Sequence, residues 1–436
     1  MNKKVALHNL GCKVNSYELE AMQQMLEDHG YEIVPFQPGA DVYIINTCTV
    51  TNIADRKSRQ MLHKAKKMNP QAIVVATGCY AQAAQETLDV DEAVDIVIGN
   101  NKKQDLIAIL EGRETDAVIN INQTHEYENL HIDRTAEHTR AYIKVQDGCN
   151  QFCTYCIIPY ARGRVRSRDK QDVLQEVARL AAAGYQEVVL TGIHLSSYGV
   201  DFADHTENLQ TLIQAVHGVD GIRRIRLGSL EPGIITESFA EALAGLPKVC
   251  PHFHLSMQSG CDATLKRMNR RYDTKEFMGK CRILRKYFAD PAITTDIIVG
   301  FPQESEEEFG QTVEFVETID FAETHIFKYS RRKGTKAAAM EGQIPEEIKT
   351  KRSHVLLDMN EKHRAAYAQK WLGRTVEALL EEQVEEGGET CWSGHTKEYL
   401  HIRIQSQDDL ANTIVSCQVT DVARGGILNG KIIGKG

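Results

Sequence analysis

At 436 residues, 42% of them hydrophobic and 25% charged, the chain is a folded protein too long for one comfortable core, so two or three domains are expected. A net charge of −9 argues against binding nucleic acid over the whole surface, and no apolar run is long enough to span a bilayer. Eleven cysteines without secretory features point to metal-bound thiolates in a reducing cytoplasm rather than to disulfides.

The first domain is expected over 1–115. Strand-like runs at Val5–Leu10, Val42–Ile45, Ile73–Ala76 and Ile96–Ile98 alternate with helical patterns at Ser16–His29, Asn52–Met68, Ala81–Leu88 and Lys103–Leu110. This βαβ pattern predicts a doubly wound parallel sheet. Cys12, Cys48 and Cys79 each follow a strand, within Leu10-Gly11-Cys12, Asn46-Thr47-Cys48 and Gly78-Cys79. The carboxyl ends of parallel strands share one edge, so three cysteines far apart in sequence should converge there. Buried structural thiols would sit inside the strands instead. Residues 116–139 lack apolar periodicity and read as a linker; His125, His131 and His138 are not read as ligands.

The middle domain, 140–365, opens on an extended run that ends in Gly148-Cys149-Asn150-Gln151-Phe152-Cys153-Thr154-Tyr155-Cys156. Three thiolates in this CxxxCxxC loop suit a [4Fe–4S] cluster with one iron left open. Structural zinc wants four ligands, and a redox dithiol would not explain Cys149. Six strand–helix units follow, with strands at Tyr142–Gln146, Glu187–Thr191, Ile225–Gly228, Phe253–Met257, Thr295–Val299 and Thr324–Tyr329. Helices should begin near Asp172, Asn208, Thr236, Thr274 and Ser305. Six units instead of eight predict a partial (β/α)6 barrel, open on one side to a large substrate. Barrel chemistry sits at strand exits, which here carry Thr191, Gly192, Ser229, Glu231, Gln258, Gly300 and Tyr329. Basic runs at Arg162, Arg164, Arg166, Arg168 and Lys170, at Lys266, Arg267, Arg270 and Arg271, and at Arg331, Arg332, Lys333 and Lys336 suggest a shared RNA-facing surface. Cys250, Cys261 and Cys281 lack ligand spacing and read as ordinary thiols.

The last domain, 370–436, has extended runs at Val376–Glu381, Tyr399–Ile404 and Thr413–Thr420, a further short one at Gly430–Gly434, and turns at Gly387-Gly388 and Gly425-Gly426. A small antiparallel β-barrel is expected.

CxxxCxxC with an aromatic before its third cysteine resembles the radical S-adenosylmethionine (SAM) enzymes, in which the open iron holds the amino and carboxylate groups of SAM. The resemblance places Tyr155 beside the adenine and the polar strand exits around SAM. The last domain resembles the TRAM module, an RNA-binding barrel of the OB type. The full order of parts resembles the methylthiotransferases. Ile157-Ile158-Pro159-Tyr160-Ala161-Arg162-Gly163 and Gly192-Ile193-His194-Leu195-Ser196-Ser197-Tyr198-Gly199 resemble the branch acting on N6-threonylcarbamoyladenosine at tRNA position 37.

That resemblance implies two [4Fe–4S] clusters: one on Cys149, Cys153 and Cys156 that cleaves SAM, and an auxiliary one on Cys12, Cys48 and Cys79 that donates sulfur. Two SAM would be used, one for methyl transfer and one for hydrogen abstraction at carbon 2. It further implies the tRNA anticodon stem-loop as substrate, a low-potential electron donor as partner, and a monomer. Arg162, Arg164, Arg166, Arg331, Arg332 and Lys333 are expected to hold RNA. An RNA-binding iron–sulfur sensor without catalysis, and an enzyme acting on a protein side chain, are the competing readings.

Overall fold

The apolar runs of the first hundred residues pair as parallel strands in a computed structural model that describes residues 3–115, 117–135, 139–204, 206–386 and 389–435. The sheet order is Glu32–Ile33, Lys4–Asn9, Val42–Thr47, Ile73–Gly78, Ile96–Ile98. Strand Val42–Thr47 is buried at every position, as a central strand covered on both faces must be. Helices Lys13–Asp28 and Asn52–Met68 pack on the sheet; Thr51 caps the second by accepting from Ala54 N–H. The edge strand Glu32–Ile33 was not expected, because two residues carry no pattern. The helix expected over Ala81–Leu88 is instead two short ones, Cys79–Ala83 and Gln85–Leu88, broken at Ala84.

Six parallel strands form the middle domain: Ala141–Asp147, Glu187–Gly192, Arg224–Leu227, His252–His254, Ala292–Val299 and Glu323–Lys328. The third and fourth are joined only by the bridges Ile225↔Val249 and Leu230↔Leu255. The first strand pairs antiparallel with the two-residue strand Arg166–Ser167, not with the sixth, so the barrel stays open. The expected helix starts hold, with caps at Asp169, Asn208, Thr236, Asp273 and Ser305. Helix Glu346–Gln369, absent from the sequence reading, packs on the last strand. Its buried face includes Lys349, Arg352 and Asn360, so it shows no apolar stripe.

Residues 117–135 form no free tether. Leu130 and Ile132 enter the barrel core together with Tyr17 and Ala21 of the first domain. The buried Glu128 carboxylate accepts from the backbone N–H groups of Lys103 and Gln104. His138 and the Gly387-Gly388 turn lie outside the described residues.

The last domain is a closed five-stranded barrel ordered Thr375–Glu386, Glu389–Thr396, His401–Ile404, Ile427–Lys435, Thr413–Ala423. Four of its pairings are antiparallel, and the one between His401–Ile404 and Ile427–Lys435 is parallel. That mixed closure is a refinement of the expected all-antiparallel barrel. The domain seals the floor of the middle barrel: Arg226 donates to the carbonyls of Thr396 and Lys397, and Arg224 to that of His395. Tyr399 stacks between His252 and His395, each ring centroid 4.7 Å away.

Candidate iron–sulfur and SAM site

The CxxxCxxC loop leaves the first barrel strand through Gly148, at φ +71°. A Cβ there would stand 1.8 Å from the Arg164 carbonyl oxygen, so only glycine permits the turn. Cys149 N–H then donates to Gly163 O, and Thr154 N–H to Met268 O. The Thr154 hydroxyl donates to Arg267 O, and Asn269 Nδ2 to the Phe152 carbonyl. The loop is therefore clamped by the exit of the short helix Asp262–Arg267.

In the first domain, Gly11 at φ +124° would carry a Cβ 3.2 Å from Cys48 Cβ, so its loop lies directly against that cysteine. Cys12 and Cys48 are both within electrostatic reach of Cys79. The three strand-exit cysteines thus share one edge.

Hydrogen bonds from N–H groups reach sulfurs of both triads. The Gln151 backbone amide donates to Cys149 Sγ at 3.5 Å, and the backbone amides of Asn15, Val50 and Ile158 favour the thiolates of Cys12, Cys48 and Cys156. Guanidinium groups serve the other two: Arg162 Nε donates to Cys79 Sγ at 3.1 Å, and Arg270 Nη1 to Cys153 Sγ at 3.2 Å. Such donors suit anionic sulfur and tune cluster potential. Cys417 differs: its thiol donates to the Val376 carbonyl. Cys250, Cys261, Cys281 and Cys391 are buried, apart from both triads in the sequence. Burial pushes the free thiols of Cys48 and Cys149 up to about 11 and that of Cys156 up to about 12. Metal entry must therefore displace protons.

Around the mouth, Glu231 accepts two hydrogen bonds from Arg270 Nη2, at 2.9 and 2.7 Å, and its carboxylate lies 3.7 Å from His194 Nε2. Ser229 is exposed at the rim, while Thr191 is buried beneath it. Gly192 sits over Gln146, whose Oε1 accepts from His194 N–H. Gln258 holds φ +72°, and Gly300 N–H donates to Glu304. Tyr155, Phe301 and Tyr329 form an aromatic wall, with centroids 6.5 and 5.5 Å apart in sequence.

Three of the residues expected to face RNA do not. Arg162 and Arg166 are fully buried, and Arg332 nearly so. Arg162 grips Glu18, Asn15 and Asp147; Arg166 donates to the carbonyls of Arg162 and Arg164; Arg332 pairs with Asp55. Arg168 is likewise buried on Glu176. Burying a charge requires an opposite partner, and these acids provide it. Arg164 lies over the Phe152 ring, and Arg331 donates to Ala338 O; Lys333 is exposed. Lys333 lines a polar cleft of about 740 Å³ between the first domain and the barrel, shared with Asn52, Arg59, Gln82 and Tyr160. Helix Asn52–Met68 beside it exposes Arg56, Lys57, Arg59, Lys64 and Lys67. The sequence reading missed this stripe, although its basic residues are visible there.

A three-cysteine loop at the carboxyl mouth of a six-stranded partial barrel is the arrangement of radical SAM enzymes. The Radical SAM superfamily profile matches residues 143–316, and that of Uncharacterized protein family UPF0004 matches residues 4–99. The chain is 40% identical over 422 residues to threonylcarbamoyladenosine tRNA methylthiotransferase MtaB of Bacillus subtilis (strain 168), covering 95% of this chain and 93% of that one. It is 42% identical over 385 residues to the protein of the same name from Aquifex aeolicus (strain VF5), covering 87% and 93%. The fold resembles the radical SAM methyltransferase TsrM from Kitasatospora setae, at a TM-score of 0.57, 18% identity and 77% coverage of each chain. The chain belongs to the radical SAM tRNA methylthiotransferases, a family of transferases that use SAM and [4Fe–4S] clusters.

Proposed function

We propose that this protein replaces the hydrogen on carbon 2 of N6-threonylcarbamoyladenosine at tRNA position 37 with a methylthio group, using two SAM and two [4Fe–4S] clusters. The observation that carries the reading is the pair of three-thiol sites, with a buried guanidinium donating to a sulfur in each. Cys149, Cys153 and Cys156 would hold one cluster; Cys12, Cys48 and Cys79 would hold the other. When bound, the low-potential cluster would supply the electron that cleaves SAM, and that cleavage would supply the acceptor for the hydrogen of an unactivated C–H bond.

The chain's own groups bind and orient. Glu231, fixed by Arg270, is set to accept from the SAM ammonium or ribose hydroxyls. The Tyr155–Phe301–Tyr329 wall offers an apolar face to adenine. Thr191, Gly192, Ser229, Gln258 and Gly300 complete the mouth. Arg162 and Arg270 hold positive charge beside sulfur in the two sites.

The anticodon stem-loop would lie across the cleft by Lys333, with Arg164, Arg331 and the exposed cations of helix Asn52–Met68 on phosphates. A loop base is readily drawn inward from there. Among the described residues no helix is long and apolar enough to cross a membrane. A cytoplasmic monomer served by a low-potential electron donor fits this reading.

The test is anaerobic reaction of the reconstituted protein with SAM, reductant and a stem-loop RNA carrying the threonylcarbamoyl base. Mass spectrometry should find the methylthio nucleoside. SAM cleavage with no sulfur on the RNA would contradict the proposal.

A further inference from the structure

Strand alternation aims five polar side chains into the barrel lumen. Phe253 packs outward on Phe288, at 4.9 Å, which turns His252 and His254 inward. Ile293 and Ile297 join the outer core, which turns Thr294 and Asp296 inward; Ile326 does the same for His325. Register pairs His254 with Thr294 and Asp296 with His325. One ring nitrogen of each histidine and an Asp296 oxygen fall within 4.8 Å of one another. The two rings stack at 5.7 Å.

The position is one layer inside the mouth. Leu230 N–H donates to His254 O, and Gln258 N–H to Asp296 O, so the group hangs directly below Glu231 and Gln258. His254 Nδ1 is engaged with Thr294 Oγ1 at 3.0 Å. Its Nε2 is buried and lies 3.3 Å from Asp296 Oδ2, in a geometry that makes no hydrogen bond. That nitrogen makes no hydrogen bond, and the Asp296 carboxylate is its charged neighbour. Beneath it Arg226, Lys13 and Arg140 lie within electrostatic reach of His252, Arg226 paired with Glu187 and Arg140 with Glu381.

We infer that His254, Asp296 and His325 bind the threonylcarbamoyl group of the substrate base, the imidazoles donating to its carboxylate and Asp296 accepting from its ureido N–H or hydroxyl. This rests on the reaction proposed above and makes the lumen its specificity pocket. An apolar N6 substituent would leave these groups unpaired, which is the strongest form of rejection available to a binding site.

The test uses the full-length reconstituted protein and fluorescent stem-loop RNAs bearing the threonylcarbamoyl base, its carboxamide, or a dimethylallyl base. Wild type should bind the acid about tenfold tighter than the carboxamide, the worth of one charge-assisted hydrogen bond. His325→Ala, on an exposed lumen position, should bring that ratio toward one, as should His254→Ala. An unchanged ratio in His325→Ala would overturn the inference. So would one zinc ion per chain bound by wild type and lost in His325→Ala, because two histidines and a carboxylate also make a metal site. If wild type forms no methylthio product on the threonylcarbamoyl RNA, the reaction itself fails first, and this pocket loses its ligand with it.

Discussion

Arg162 donates its Nε–H to Cys79 Sγ at 3.1 Å, and it stands only six positions beyond Cys156. A guanidinium from the segment just after one thiol site therefore donates to a sulfur of the other. Its Nη2 reaches Asn15 Oδ1 at 2.7 Å and Glu18 Oε2 at 3.0 Å, and its Nη1 reaches Asp147 Oδ2 at 3.2 Å. Burial works against the charge of Glu18, yet Arg162, Lys103 and Lys144 hold its carboxyl well below the usual range.

Removing that cation takes one partner from each of two buried carboxylates, Glu18 and Asp147, which keep Lys144. Arg162→Met should lower stability by about 3–5 kcal/mol. Differential scanning calorimetry of the apoprotein checks this. Adding Glu18→Gln should recover part of the loss, and an unchanged melting temperature in Arg162→Met would show that the network carries no load.

Gly148→Ala should cost the loop its geometry, because the new Cβ meets a backbone carbonyl at 1.8 Å. Iron per chain should fall by about half, one cubane of two. Gly279→Ala is the control: it lies within helix Thr274–Tyr287 with open space around it, and should stabilise by about 0.4–1 kcal/mol with full iron retained. Full iron in Gly148→Ala would contradict the loop argument.

The cysteine spacing, the six barrel strands and the approximate helix starts were legible in the sequence because each depends on local chemistry. The arginines of 162–168 were not. Exposed and buried cations look alike until their acids are located, and here the acids come from elsewhere in the chain. Glu18 and Asn15 lie on the buried face of helix Lys13–Asp28, beside Ala21 and Met22. A carboxylate on an apolar helix face was the available signal, since it demands a buried cation. His254, Asp296 and His325 were invisible for a different reason. They lie on three strands, and only the register brings them level.

Acid should weaken the seat of the last domain. Burial alone would raise the Glu187 carboxyl, but Arg226, Arg140 and Arg224 bring it down to about 2 from 4.5. The unfolded chain then binds this proton more tightly than the folded one. The stability from Glu187 is complete above about pH 4.5 and drains as pH falls toward 2, a contribution of about 3 kcal/mol at neutral pH. Glu187→Gln should flatten the fall in melting temperature across that window. A slope identical to wild type would contradict the assignment.

Tyr399 enters the barrel floor at φ +68°, with Arg226 4.7 Å and Arg140 5.2 Å from its ring. Tyr399→Ala should loosen the last domain from the barrel, and limited proteolysis should cut earlier near residue 370. Cleavage at the wild-type rate would show that the ring is not an anchor.

The most direct measurement is iron and acid-labile sulfide per chain after anaerobic reconstitution, in wild type and in the Cys149→Ala/Cys153→Ala/Cys156→Ala variant. Two cubane sites predict about eight irons falling to about four. About four falling to about zero would reduce Cys12, Cys48 and Cys79 to structural thiols and contradict the two-cluster account.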